Sequence, residues 1–220
     1  MDIVYHRAPN RTQSDILLVM LPGVGFAPDD FLSHGFVRAV QERGLAVDVA
    51  VASPGLDAYL DQTLAANLRR EIGRCRPDEH ARVWFLGISL GGMGALLYAQ
   101  AYAASVEGIA LIAPFLGTAG LVAEVVRMGG LSSWQPGEVA PNDSERLLLG
   151  WLKAFTAVPR PRPKLYLGYA RDDRFAQGHA MLADRLPRSH VLVTEGGHDW
   201  ATWTRLWQKI LDREPFSAPV

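Results

Sequence analysis

Short, unbroken apolar runs alternate with stretches of helical spacing along almost the whole chain, and this alternation restricts the possible folds more than any other feature. Residues 15–21 hold five apolar residues in succession after Ile16 and stop at Pro22-Gly23, the pattern of a strand covered on both faces. Residues 31–43 place Phe31, Phe36, Val37 and Val40 at helical spacing and end at Gly44, after which residues 45–51 read as a second strand. Leu60, Leu64, Leu68 and Ile72 form one i, i+4 series within residues 59–73, the stripe of an amphipathic helix. Further strands are expected at 82–87, 106–114, 164–169 and 190–194, with helices at 91–102, 177–186 and 201–213. Such alternation implies parallel strands joined by right-handed helical crossovers. The expected class is therefore α/β, a mostly parallel central sheet with helices on both faces. Ligands of such sheets gather at the carboxyl ends of the strands.

One segment departs from the pattern. Residues 116–163 contain only weak helical pieces (121–128 and 144–156), a Gly129-Gly130 break and a stiff exit, Pro159-Arg160-Pro161-Arg162-Pro163. This is longer than an ordinary connection, and it reads as a small cap or insertion within a single domain spanning 1–220. A chain of 220 residues, 49% hydrophobic and 20% charged, suits one substantial core and no second large one.

The formal charge of -1, with no block of Lys or Arg, gives nucleic acid or an anionic membrane no electrostatic hold, so a small molecule is the expected partner. The start, Met1-Asp2-Ile3-Val4-Tyr5-His6, carries an acid where an export signal carries bases, and no apolar run approaches the roughly 18 residues of a membrane span. Cys75 is the one cysteine, which rules out an internal disulfide; it reads as a small buried thiol at a helix end. His6, His80, His179 and His190 lack metal-like spacing. The expectation is a cytoplasmic protein without metal or cofactor.

The chemistry concentrates in three loops. Gly87-Ile88-Ser89-Leu90-Gly91 lies directly between an expected strand and an expected helix, where a G-x-S-x-G nucleophile elbow must lie. Glycines two positions to either side of Ser89 let the backbone turn sharply without collision, and the helix start at Leu90 supplies an N–H and a favourable dipole to a developing oxyanion. Gly196-Gly197-His198-Asp199-Trp200 follows the last strand, so His198 projects from the same sheet edge as Ser89 and is the candidate general base. The loop after the penultimate strand, Arg171-Asp172-Asp173-Arg174-Phe175, offers two carboxylates to orient that imidazole. Asp173 is preferred over Asp172 because Phe175, two residues on, can anchor the loop beneath the next helix.

These motifs, with Ser89-Leu90-Gly91-Gly92-Met93-Gly94-Ala95 after the strand, resemble the α/β-hydrolase superfamily and its small esterases over nearly the whole chain. The resemblance implies an acyl-enzyme mechanism with catalytic Ser89, Asp173 and His198. It also implies a second oxyanion N–H from Leu21-Pro22-Gly23-Val24-Gly25, placed at Val24 with Gly25 as the alternative, although Pro22 stands where such proteins often have histidine. The His34-Gly35 pair is a decoy, since no buried strand precedes it. Ser89 argues against the aspartate-nucleophile branches. Thioesterases and non-catalytic binding proteins share the elbow and stay open as alternatives. Trp134 and Trp151 of the insertion are candidates for a substrate pocket; Trp200, Trp203 and Trp207 read as core packing, and Asp29 and Asp30 as helix caps.

Overall fold

In a computed structural model, described for residues 1–8, 14–75, 82–159, 162–213 and 215–216, one sheet of seven strands runs through the molecule in the order β1-β3-β2-β4-β5-β6-β7. The strands are β1 (Asp2–His6), β2 (Ile16–Leu21), β3 (Val47–Ser53), β4 (Arg82–Ile88), β5 (Gly108–Ile112), β6 (Lys164–Ala170) and β7 (Val191–Thr194). All neighbours pair in parallel except β1, which runs antiparallel on β3 with Asp2 opposite Ser53. His80 and part of the proline-rich exit lie outside the described residues.

Strand residues alternate between two apolar layers, as a period of two requires. Leu17, Val19, Leu21, Phe85, Ile109 and Leu111 face one layer. Helices α3 (Leu56–Leu60), α4 (Leu64–Cys75), α5 (Leu90–Tyr102), α6 (Ala119–Arg127), α7 (Ser144–Phe155) and α8 (Ala176–Ala183) contribute to it. Leu18, Met20, Trp84, Leu86 and Ile112 face the other, closed by α1 (Pro28–Ser33), α2 (Phe36–Glu42) and α9 (Trp200–Leu211).

The structure revises several boundaries. The helix expected at 31–43 is two, because Gly35 takes a left-handed φ of 75° at the start of α2. That expected at 59–73 breaks between α3 and α4, where Gln62 has φ 57°. β1 has no apolar run to announce it; it is an edge strand, and the Tyr5 hydroxyl donates to buried Asp48 at 2.7 Å. Asp30 accepts the Ala27 N–H at 2.7 Å and so caps α1. Cys75 is the last residue of α4 and only half-buried, its thiol pKa pushed up by burial and by Glu71.

The described part of 116–163 divides into elements with separate places. Helix α7 lies against α5, and its Leu148, Leu149 and Leu152 join the sheet's core, so it is the helical crossover between β5 and β6 that the alternation demands. Helix α6 packs on α8. Among the described residues no helix is long and apolar enough to cross a membrane.

Candidate active site

The carboxyl ends of β4, β6 and β7 deliver Ser89, Asp173 and His198 to one edge of the sheet. Ser89 turns from strand to helix with φ 52° and ψ -118°, a conformation costly for any residue with a side chain. The flanking glycines make it possible. A Cβ on Gly91 would strike the carbonyl groups of Leu21 and Pro22, and one on Gly87 would strike the Gly91 and Gly92 backbone. The elbow is also tied to β5: the Ser89 N–H donates to the Ile112 carbonyl at 3.1 Å, and the Phe115 N–H donates to the Ser89 carbonyl at 2.8 Å.

His198 stands between the other two side chains. Its Nδ1 is 2.8 Å from Asp173 Oδ2, and its Nε2 is 3.0 Å from Ser89 Oγ. An ionised carboxylate only accepts, so Nδ1 carries the proton, and in the neutral ring Nε2 presents a lone pair to the hydroxyl. Asp173 is 5% exposed. Burial raises its pKa, but hydrogen bonds from His198 and from the Phe175 N–H (2.8 Å to Oδ1) outweigh that and hold it below its ordinary value. Asp172 is exposed and makes no described contact with His198.

Aromatic rings brace the imidazole on two sides. Phe175 meets it edge to face at 5.1 Å between centroids and also packs on Phe115, while Trp203 meets it at 5.0 Å and packs on Phe26. Phe26 and Phe115 had no sequence signal, because their relation to His198 arises only when separate strand ends converge. Trp203 and Trp207 are core residues, whereas Trp200 is half-buried, with Phe26 edge-on to it and His34 stacked upon it at 4.3 Å.

Of the two expected oxyanion donors, Leu90 is the first residue of α5. Val24 lies in a turn closed by the Phe26 N–H on the Gly23 carbonyl, with Gly25 at φ 80°. This turn abuts the nucleophile, since a Cβ on Gly23 would come within 3.2 Å of Ser89 Cβ. The Val24 side chain itself is 59% exposed.

Of the two tryptophans expected at a substrate pocket, Trp134 requires correction. Trp134 is fully buried, with Nε1 donating to Glu124 at 2.9 Å and its carbonyl accepting from Lys153 at 2.6 Å, so its ring fills the core between α6 and α7 instead of facing a ligand. Trp151 is half-buried and stacks on Phe155 at 4.8 Å. A cavity of about 60 Å³ does lie beside the acid loop, with Pro114, Leu116, Val122, Phe175 and Gly178 among its walls. Among the described residues no cluster of His, Cys, Asp and Glu is arranged to hold a metal ion.

No protein-family model matches the sequence, and no curated protein sequence matches it. Solved structures do resemble the fold. The fluorophosphonate-binding serine hydrolase F of Staphylococcus aureus is 15% identical, covering 95% of this chain and 90% of that one with a TM-score of 0.68. A monoacylglycerol lipase of Paleococcus ferrophilus is 15% identical over 96% of this chain and 98% of its own, at 0.59. The type II thioesterase YbtT of the yersiniabactin pathway is 18% identical over 98% of both chains, at 0.57. At these identities the likeness is one of architecture, and the chain has the α/β-hydrolase fold.

Proposed function

We propose that this protein is a serine hydrolase cleaving a carboxylic ester of a small molecule through a covalent acyl-enzyme. The observation that carries the reading is the unbroken hydrogen-bonded line from Asp173 Oδ2 through His198 to Ser89 Oγ, at 2.8 and 3.0 Å. His198 Nε2 takes the hydroxyl proton as Oγ bonds to the ester carbonyl carbon. The carbonyl oxygen becomes an oxyanion facing the Leu90 and Val24 N–H groups, each worth about 3 kcal/mol in the transition state if both donate. Collapse breaks the bond to the alcohol, which leaves with the proton from His198. Water then adds by the same route, releasing the acid and restoring Ser89. The carboxylate of Asp173 stabilises the imidazolium formed in each half, and no step draws on a cofactor.

The cavity beside Phe175 supports placing the acyl end of the substrate there, since Phe175 also touches His198. Turnover of p-nitrophenyl acetate, set beside an acetyl thioester, tests the reading. Wild-type protein is expected to favour the oxygen ester, and Ser89→Ala and His198→Ala to lose all but roughly 10³ to 10⁴ of the acceleration over water. Turnover that survives Ser89→Ala refutes it, and preference for the thioester moves the substrate class.

A further inference from the structure

We propose that His179, buried in α8 and outside the Ser89-His198-Asp173 line, is a positioning residue whose Nε2–H fastens the acid-bearing segment to the strained support of the nucleophile. The inference deepens the hydrolase reading and rests on it. His179 is completely buried, and its Nε2 lies 3.0 Å from the Pro114 carbonyl. A carbonyl can only accept, so Nε2 carries the proton of the neutral ring and Nδ1 does not. Nδ1 is buried without a hydrogen-bond partner. Burial drives the pKa of this imidazole down to about 4, so the ring is neutral near pH 7. An apolar side chain would fill the space and remove the orphaned Nδ1, but it would also take the donor from the Pro114 carbonyl, so the bond and not packing is the reason for histidine here.

The reason lies in what Pro114 holds. Ala113, just before it, has φ 46°, so of the three described non-glycine residues in the left-handed region, Gln62, Ser89 and Ala113, the last two sit on adjacent strand ends. Such conformations persist only where surrounding bonds over-determine them. The Ala113 N–H donates to the Gly168 carbonyl at 2.8 Å, the Phe115 N–H donates to the Ser89 carbonyl at 2.8 Å, and the Pro114 side chain packs on Gly92. These bonds fix the 113–115 segment to β6 and to the elbow. The His179 bond adds the tie to the acid side: the His179 N–H donates to the Phe175 carbonyl, and the Phe175 N–H donates to Asp173 Oδ1. Asp173 and Ser89 are thus connected through His179 and Pro114 as well as through His198, and the second route sets the spacing that the imidazole of His198 must bridge.

The test has an arm on unaltered protein and an arm on variants. Long-range ¹H–¹⁵N spectra of histidine-labelled wild type should show His179 as the neutral Nε2–H tautomer across neutral pH; an Nδ1–H or charged ring overturns the proposal. His179→Leu, which fills the space without a donor, should lower kcat by about tenfold to a hundredfold while leaving KM within about twofold, the signature of slight misplacement at the reacting atoms. His179→Gln, which keeps an N–H, should recover most of that loss. Equal kcat in wild type and His179→Leu overturns the inference, as does an equal loss in both variants that follows their melting temperatures. If either variant does not fold, the tautomer decides. A wild-type protein inert towards esters and fluorophosphonates refutes the hydrolase reading instead. In that case loss of the downfield His198 Nδ1–H resonance in His179→Leu still reads the tie, and an unchanged resonance overturns it.

Discussion

Asp172 and Asp173 are chemically identical neighbours in opposite surroundings, and the difference between them is a test at the scale of single residues. Asp173 is buried, with one oxygen on His198 and the other on the Phe175 N–H, whereas Asp172 is in solvent. Asp173→Asn keeps the shape but removes the charge that fixes the His198 tautomer, and kcat should fall by up to roughly 10⁴. Asp172→Asn deletes only a solvated carboxylate and should cost at most about tenfold. Steady-state kinetics on one activated ester compares them, and a crippled Asp172→Asn would exchange their roles. His179 sets a pH dependence of its own. Its pKa is near 4 in the folded chain against an ordinary 6.5, so below pH 6.5 the unfolded chain takes up a proton that the folded one refuses. The stability associated with the neutral ring is complete above pH 6.5 and is lost as pH falls towards about 4. Urea midpoints measured across that window should decline in wild type and decline less in His179→Gln. Half-buried His190, its pKa also lowered first by burial, adds to the slope that remains, as do Asp173 and Glu107 near the acid end of the window, their carboxyl pKa values held below the ordinary range by hydrogen bonds.

At the scale of elements, the proposed seat of the acyl chain is the cavity between α6 and α8, which would give the crossover a role in substrate selection. Val122 of α6 and Gly178 of α8 lie beside each other on its wall, and a Cβ on Gly178 would meet Val122 Cγ2 at 3.5 Å, an ordinary contact. Val122→Ala should therefore shift kcat/KM towards longer p-nitrophenyl acyl chains, and Gly178→Ala towards shorter ones. Gly178→Ala should also raise helix stability by roughly 0.5 to 1 kcal/mol. Trp134→Ala, by contrast, should cost about 3 to 5 kcal/mol in a denaturant melt and leave the preference alone. Parallel responses in all three variants would make the cavity structural.

What the sequence revealed at this scale follows from what each signal measures. β2, β4 and β5 are buried on both faces and show as apolar runs, and the elbow glycines report backbone approaches too close for any Cβ. β1 carries no such signal because an edge strand need not be apolar throughout, and Trp134 cannot be told from a ligand-facing residue because an indole looks alike in sequence whether it faces a ligand or a core. His179 read as a histidine without metal partners. Its link to Pro114 spans 65 residues and exists only once α8 has packed on β6 next to the segment that follows β5.

For the whole molecule, the claim is that one sheet edge gathers three loops into a single reactive serine. Its most direct test is labelling by a fluorophosphonate, which phosphonylates only a serine that is accessible and activated by a neighbouring base. Intact-mass and peptide spectrometry of the wild-type protein should find one adduct, on Ser89, formed rapidly near neutral pH. The adduct should be absent in folded Ser89→Ala and slowed by orders of magnitude in His198→Ala. An unlabelled wild-type protein, or an adduct on any other serine, would contradict the account.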